Sequence, residues 1–343
     1  MSPRAHLASL AVWLGLSWPA LGATQRPTLP GDDPTARPGL LAPLADGRHI
    51  NLRCAGSGAT TVVLEGGFAA TSLAWTKLVP LVTPRHRVCA YDRAGYGFSD
   101  GGPLPRDADA VAQDLDEALH VAGITGPYIL VGHSAGALYV RRFADLKPHD
   151  ILGMVLVDPS IPFQDRRLSA VLGPGSGSLA VARDRALQCQ MAATQGRLPS
   201  TEPGLSSCSA GDISKLSPEA QVARTMEASR ALTWSTQVAE LDALWGASSE
   251  EVADGAKSYG DLPLVVLSAT GAFAHAPEPM RAQIESLWLG LHRELAALSS
   301  RGVQRSVENS SHLMMLDRPD AIAAAIEDVA RVGIAKSKFR PAA

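Results

Sequence analysis

The stretch YILVGHSAGALYVRRF, residues 128–143, begins as an apolar run typical of a buried strand and continues as a helical pattern. Between the two parts, Gly132 and Gly136 flank Ser134 in the pattern Gly-x-Ser-x-Gly. The five letters alone arise by chance in glycine-rich chains, but a strand before them and a helix after them are the setting of a nucleophile elbow. So tight a turn leaves no room for side chains at the two flanking positions. It is expected to lift Ser134 out of the sheet and place it at a helix N-terminus.

That position supplies hydrogen-bond donors. The first amides of a helix have no internal acceptor and carry partial positive charge, so the Ala135 N–H is expected to hold an oxyanion formed by attack of Ser134. A second donor is expected from LEGGFAATSLAW, residues 64–75, where two glycines let the backbone bend and expose the Phe68 N–H. Taken alone, this glycine pair would be an ordinary turn; beside the serine elbow it predicts the second half of an oxyanion hole.

A serine hydroxyl becomes a good nucleophile when a base removes its proton, and the base needs a carboxylate that fixes its tautomer and stabilises its charged form. His312 is the candidate base because it follows the last predicted strand and precedes the last predicted helix, whereas His133, adjacent to Ser134, is predicted to point away from it. Asp158, at the end of the strand MVLVDPS, is chosen as the acid partly by elimination. Glu278 is the reserve, and Asp158 has the alternative role of capping the turn that follows it.

Short apolar runs alternate with helical patterns, which predicts an α/β fold with a mostly parallel central sheet flanked by helices. The alternation stops between residues 160 and 258, where Gly/Ser-rich loops and a long helical stretch at 217–245 predict a helical cap inserted after the sixth core strand. The predicted strands are His49–Cys54, Thr61–Leu64, Arg87–Tyr91, Tyr128–Val131, Met154–Val157, Leu262–Ser268 and Val303–Val307.

The chain therefore divides into five predicted segments. Residues 1–22 have a short basic start, an apolar run shorter than the roughly 20 residues of a membrane span, and small residues at the end, which predicts a secretory signal. A membrane anchor is the alternative. The expected location is secreted or periplasmic. The other segments are a flexible lead-in at 23–48, the first part of the α/β core at 49–159, the cap at 160–258 and the second core part at 259–343.

Charge and cysteine content exclude some classes of partner. The 31 Lys and Arg residues are balanced by 34 Asp and Glu residues and are scattered, so no nucleic-acid footprint is present. The four cysteines have no CxxC spacing, and no metal or other cofactor is predicted. In an exported protein they are expected to form disulfides, Cys189 with Cys208 and, if their strands are neighbours, Cys54 with Cys89. Four buried thiols are the alternative.

With the elbow, the glycine loop and the late histidine in this order, the sequence resembles the α/β-hydrolase superfamily over about residues 49–160 and 260–332. YDRAGYGFSD, residues 91–100, is similar to that superfamily's Asp-x-x-Gly-x-Gly-x-Ser turn, whereas Glu65-Gly66 stands where many members have His-Gly. The resemblance implies a nucleophile, a base, an orienting acid and two oxyanion donors, which are Ser134, His312, Asp158 and the amides of Phe68 and Ala135.

The resemblance also implies a reaction: hydrolysis of a small-molecule carboxylic ester through an acyl-enzyme, without a cofactor. Relatives that dehalogenate or open epoxides use aspartate in the elbow, so Ser134 argues against those reactions. Leu241, Leu244 and Trp245 in the cap favour a small or medium apolar substrate, or are ordinary packing. Amidase, peptidase or lyase chemistry on the same triad and a ligand-binding protein with little turnover are the alternatives. The oligomeric state is not predicted.

Overall fold

The computed structural model describes residues 33–211, 213–214 and 216–337, without the side chains of 335–337. The predicted signal segment, 1–22, and the start of the lead-in lie outside the described residues. Eight strands form one sheet in the order β1-β2-β4-β3-β5-β6-β7-β8, in which β1, β2 and β4 pair antiparallel and all other neighbours pair parallel. The strands are β1 Leu40–Pro43, β2 His49–Ala55, β3 Thr61–Glu65, β4 Arg87–Tyr91, β5 Tyr128–His133, β6 Ile151–Val157, β7 Leu264–Ala269 and β8 Gly302–Val307.

Helices cover both faces of the sheet, because the central strands are buried apolar runs that leave neither face polar. One face packs against α2, α3 and α9, and the other against α1, α10 and α11. The helices are α1 Val79–Val82, α2 Ala108–Val121, α3 Gly136–Leu146, α4 Gln164–Leu172, α5 Ala180–Thr194, α6 Pro218–Ala228, α7 Ala231–Leu244, α8 Ala247–Asp254, α9 Met280–Ala296, α10 Met314–Asp317 and α11 Pro319–Ser337.

Two predictions about secondary structure need correction. Residues 40–43, predicted as flexible lead-in, form the edge strand β1, where a proline is tolerated because only one side of the strand is hydrogen-bonded. The helical stretch predicted at 217–245 is two helices, α6 and α7. Thr233 Oγ1 and Trp234 Nε1 donate to the carbonyls of Glu227 and Ala228, so the end of α6 is satisfied by side chains from the next helix.

The chain order brings six loops to one edge of the sheet, at the carboxyl ends of the parallel strands, where α/β proteins bind their ligands. Helices α4 to α8 lie between β6 and β7 and cover this edge. Both predicted disulfides are present: Cys54 is directly opposite Cys89 on neighbouring strands, and Cys189 of α5 bonds Cys208. No helix among the described residues combines the length and the apolar character that crossing a bilayer requires.

Candidate active site

The turn after β5 has the geometry predicted for a nucleophile elbow. Ser134 has a φ of 51°, a left-handed conformation that costs a non-glycine residue on the order of 1–3 kcal/mol. A Cβ atom on Gly132 would lie 2.6 Å from Val140 Cγ2, and one on Gly136 would lie 2.5 Å from the Gly66 carbonyl oxygen. Both flanking glycines are therefore required by close packing.

Main-chain hydrogen bonds join the elbow to the loop after β6. The Ser134 amide donates to the Val157 carbonyl at 3.1 Å, and the Ser160 amide donates to the Ser134 carbonyl at 3.0 Å. Asp158 lies between these two contacts and is itself left-handed, with a φ of 41°. The strained serine and the strained aspartate are thus held in one hydrogen-bonded unit.

Asp158 accepts a hydrogen bond from His312 Nδ1 at 2.7 Å, although the two residues are 154 positions apart. Its other oxygen, Oδ1, accepts from the Ala269 amide at 3.1 Å and from Trp288 Nε1 at 3.0 Å. Burial alone would raise the pKa of Asp158, but the hydrogen bonds from His312 and Trp288 outweigh it and hold the pKa below its usual value. The carboxylate is therefore ionised and fixed in orientation. Glu278, the reserve acid, is exposed and pairs with Arg281 instead.

His133 has a role that the sequence did not predict. Its ring lies against that of His312, with the centroids 4.7 Å apart, and its Nε2 lies 2.8 Å from the His312 carbonyl oxygen, to which it donates. Burial and the neighbouring His312 lower the pKa of His133 to about 3. A neutral ring therefore supports the His312 loop without placing a second positive charge beside it.

Ser134 follows β5 and His312 follows β8, and the ring contact between His133 and His312 joins these two loops. The hydrogen bonds of the described residues do not include one between Ser134 Oγ and the His312 ring. The Ser134 side chain is half-buried, and the His312 side chain is 43% exposed. Contacts of this kind commonly tighten when substrate binds. The structure thus brings together the predicted base and acid, and places the predicted nucleophile next to them.

The glycine loop after β3 lies against the elbow. A Cβ atom on Gly67 would lie 3.0 Å from Ser134 Cβ, so only glycine allows the loop to approach this closely. Across the part of the chain that the structure describes, the main-chain amides of Phe68 and Ala135 donate to no protein acceptor. The Phe68 amide follows this close approach in the chain and the Ala135 amide follows Ser134, so both proposed oxyanion donors belong to segments in contact at the elbow.

Arg93, from the YDRAGYGFSD turn, holds the glycine loop from behind. Its guanidinium donates to the carbonyls of Gly66 and Gly67, both at 2.9 Å, and pairs with Glu65 at 2.7 Å. On its other side it pairs with Glu240 of the cap helix α7, also at 2.7 Å. One buried cation therefore connects the end of β3, the glycine loop and the cap.

Glu65, the residue predicted to replace an imidazole, belongs to this ionic cluster. It is 1% exposed and accepts a hydrogen bond from the Tyr91 hydroxyl as well as from Arg93. Burial raises the pKa of Glu65 to about 7, and attraction to Arg93 offsets only part of that effect. The carboxylate thus points into the core, behind the loop, instead of toward Ser134.

The cap presents apolar side chains to the glycine loop. Phe68 packs against a cap cluster that includes Trp234 and Leu241, while Leu244 lies in a cluster with Ala135 and the first turns of α3. Within the described ranges, no three or more His, Cys, Asp or Glu residues are grouped so that they could hold a metal ion. The groups described at this edge are a serine, an imidazole, a carboxylate and main-chain amides.

A family model described as "Alpha/beta hydrolase family" matches residues 62–325, more than three quarters of the chain. The chain belongs to the alpha/beta hydrolase family. The uncharacterised protein YqjL of Bacillus subtilis (strain 168) is 26% identical over 276 residues, which cover 80% of this chain and 85% of YqjL.

Solved structures of other alpha/beta hydrolases share this fold. An esterase from Exiguobacterium antarcticum superposes with a TM-score of 0.57 at 19% identity, covering 84% of this chain and 98% of the esterase. The epoxide hydrolase CorEH gives a TM-score of 0.54 at 16% identity, covering 85% of this chain and 98% of CorEH. Similarity at this level shows the fold alone, since the two neighbours differ in reaction.

Three residues of this alpha/beta hydrolase's site were missed by the sequence analysis: His133, Trp288 and Glu240. Trp288 and Glu240 lie in helices, where they are indistinguishable from ordinary helix residues until the fold places them against Asp158 and Arg93. His133 had a signal, because a histidine inside the elbow, on a strand buried along its whole length, needs a polar partner.

Proposed function

We propose that the protein is a serine hydrolase that cleaves carboxylic esters of small or medium apolar substrates. The observation that carries this proposal is the strained Ser134 elbow beside a His312 ring whose Nδ1 is bonded to the buried, ionised Asp158 at 2.7 Å. With Nδ1–H donated to Asp158, Nε2 is left as the basic nitrogen. An ionised carboxylate then stabilises the imidazolium that proton transfer creates.

The proposed reaction has two halves. Ser134 Oγ attacks the ester carbonyl carbon while His312 Nε2 takes its proton, and the oxyanion is held by the Phe68 and Ala135 amides. The imidazolium then gives the proton to the departing alkoxide, which leaves an acyl-enzyme and a free alcohol. Water, deprotonated by the same nitrogen, attacks the acyl-enzyme, and collapse of the second oxyanion releases the acid and restores Ser134.

The substrate class is proposed from the cap. The clusters that cover the glycine loop are apolar, and they include Phe68, Trp234 and Leu241. An uncharged acyl or alcohol group of small or medium size suits such a surface better than a charged one. We also propose that the protein acts outside the cytoplasm, which the two disulfides support. Mass spectrometry of the intact exported protein would test the location, and we expect a mass from which residues 1–22 are missing.

The reaction is tested with nitrophenyl esters of graded acyl length and with a fluorophosphonate probe. We expect that the wild type turns over these esters, that Ser134→Ala does not, and that the probe attaches at Ser134. Ser160→Ala, which changes a neighbouring serine and keeps its main-chain contact to Ser134, is the matched control. Absence of labelling, or labelling elsewhere, would reject the proposal. Faster cleavage of matched nitroanilides than of esters would favour an amidase, and binding without turnover would favour a ligand-binding protein.

A further inference from the structure

A cavity of about 570 Å³ lies beside the glycine loop on the side of the segment before β1 and the cap helix α6. Its walls include Arg53 of β2, Leu73, Phe98 and Arg230, but not Ser134, His312 or Asp158. Cavities of about 300–1,000 Å³ hold most small organic ligands. The cavity is therefore separate from the proposed reaction site and large enough for a ligand of its own.

Arg53 faces this cavity without a carboxylate partner. Its terminal nitrogens donate to the main-chain carbonyls of Pro34, Thr35 and Arg37, and its guanidinium lies 5.5 Å from the centre of the Phe98 ring. Among the described residues no acidic side chain forms a salt bridge with it, and its buried Nε has no hydrogen-bond partner. Burial lowers the pKa of Arg53, and attraction to Asp92 and Asp33 offsets only part of that effect.

Arg230, in the break between α6 and α7, also lacks a carboxylate partner. One of its terminal nitrogens donates to the Gly97 carbonyl at 3.0 Å, its Nε is buried without a partner, and burial lowers its pKa. No carboxylate of the described chain lies within salt-bridge distance of it. The two guanidiniums that line this cavity therefore both lack a salt bridge among the described residues, and the Nε atom of each is enclosed by protein without a partner.

The acidic side chains of the cavity are already engaged. Asp92 accepts hydrogen bonds with both oxygens from groups of the core, and Glu227 accepts from the Gly97 amide and pairs with Arg224. Glu219 is exposed. Asp92 attracts Arg53 and Arg230 from a distance, but no described carboxylate of the cavity forms a salt bridge with either.

The remaining walls are apolar. Leu73 and Phe98 lie inside, and two residues of α6, Val222 and Met226, are 59% and 66% exposed at the surface. We propose that this cavity binds a carboxylate-bearing amphiphile, with its head group between Arg53 and Arg230 and its chain along Leu73, Phe98 and Met226. A carboxylate matches the fork of a guanidinium and supplies the negative charge that neither arginine receives from a salt bridge. The proposal stands whether or not Ser134 hydrolyses esters.

Calorimetric titration of the purified protein with decanoate tests this site. Decanoate should bind at one site, and decanamide, which has the same chain without the charge, should bind at least about tenfold more weakly. Arg53→Gln with Arg230→Gln should weaken decanoate binding by about tenfold or more. Arg183→Gln, which removes an exposed cap cation paired with Asp242, should leave it unchanged. Equal binding of the amide, or full affinity in the double variant, would overturn the proposal.

Two further measurements keep the result unambiguous. Arg230→Lys retains the charge but not the forked geometry, so it should weaken binding less than Arg230→Gln; this comparison remains available if the double variant fails to fold. Protein labelled at Ser134 with a fluorophosphonate, or the Ser134→Ala variant, should bind decanoate as the wild type does. Loss of binding there would place decanoate in the reaction site and reject the cavity, whereas failure of ester turnover would reject only the proposed function.

Discussion

The two sides of Ser134 are held by different kinds of interaction. On the acid–base side, His312 is fixed by a hydrogen bond to one ionised carboxylate and by contact with the neutral ring of His133. On the oxyanion side, the glycine loop is fixed by Arg93, a buried cation shared between Glu65 and the cap residue Glu240. The difference teaches that, in the proposed mechanism, the groups for proton transfer are held by the core, whereas the oxyanion donors are held by the cap as well.

The largest effect is expected on the acid–base side. Asp158→Asn keeps the shape of the side chain but removes the charge that selects the His312 tautomer, so kcat for nitrophenyl esters should fall by about 10⁴. Glu278→Gln, at the exposed reserve acid, should change kcat by less than about twofold. Measurement of kcat and KM for both variants tests this ranking, and the opposite ranking would identify Glu278 as the acid.

A smaller effect is expected on the oxyanion side. Arg93→Lys keeps one positive charge between Glu65 and Glu240, but an ammonium lacks the fork that reaches both glycine carbonyls at the same time. The loosened Phe68 amide should lower kcat by about 100-fold, near the lower end of what loss of one oxyanion donor costs. KM should change little, because the contact forms mainly in the transition state.

Arg183→Lys, at an ion pair confined to the cap, is the control for this variant and should retain wild-type kcat. Glu240→Gln tests the dependence on the cap directly, since it weakens only the cap half of the cluster. If Glu240→Gln leaves kcat unchanged while Arg93→Lys lowers it, the glycine loop is held by the core alone and the contrast between the two sides disappears.

The elbow, the late histidine and the parallel sheet were predicted from the sequence because each has a local pattern. Gly132 and Gly136 report a close approach, and apolar runs between helical patterns report a sheet buried on both faces. The residues that hold these groups in position have no such local pattern. Trp288 and Glu240 are 130 and 147 positions from the residues they bond, and only the folded chain brings them together. The edge strand β1 was missed because its proline and glycine neighbours resemble a loop.

Stability against pH tests the buried cluster on the oxyanion side. Burial raises the pKa of Glu65 from its ordinary 4.5 to about 7, so the folded protein holds this proton more tightly than the unfolded chain. That contribution favours folding below about pH 4.5 and is progressively lost as the pH rises to about 7. Relative to Glu65→Gln, the wild type should lose at most about 3 kcal/mol of unfolding free energy over this interval.

Urea unfolding of both proteins at pH 5, 6 and 7 measures this change as a difference, in which the titration of all other groups cancels. The Tyr91 hydroxyl bond lowers the pKa of Glu65, so Tyr91→Phe should raise that pKa further and extend the loss of stability to higher pH than in the wild type. A wild-type stability that stays parallel to that of Glu65→Gln across the interval would mean that Arg93 keeps Glu65 ionised throughout.

The smallest effect sharpens the acid–base side. Trp288→Phe removes the indole hydrogen bond to Asp158 Oδ1 at 3.0 Å and leaves the Ala269 amide as the remaining donor to that oxygen. A hydrogen bond to a charged group contributes about 1.5–3 kcal/mol, and part of it persists through the amide, so kcat should fall by about tenfold with KM unchanged. Trp245→Phe, whose indole donates to a cap carbonyl at 3.2 Å, is the matched control and should keep its kcat. Trp288 contacts only Asp158 Oδ1, the oxygen that does not bond His312. A fall in kcat with KM unchanged would therefore mean that the carboxylate must be held at both oxygens to align His312. An unchanged kcat would mean that the Ala269 amide and His312 suffice.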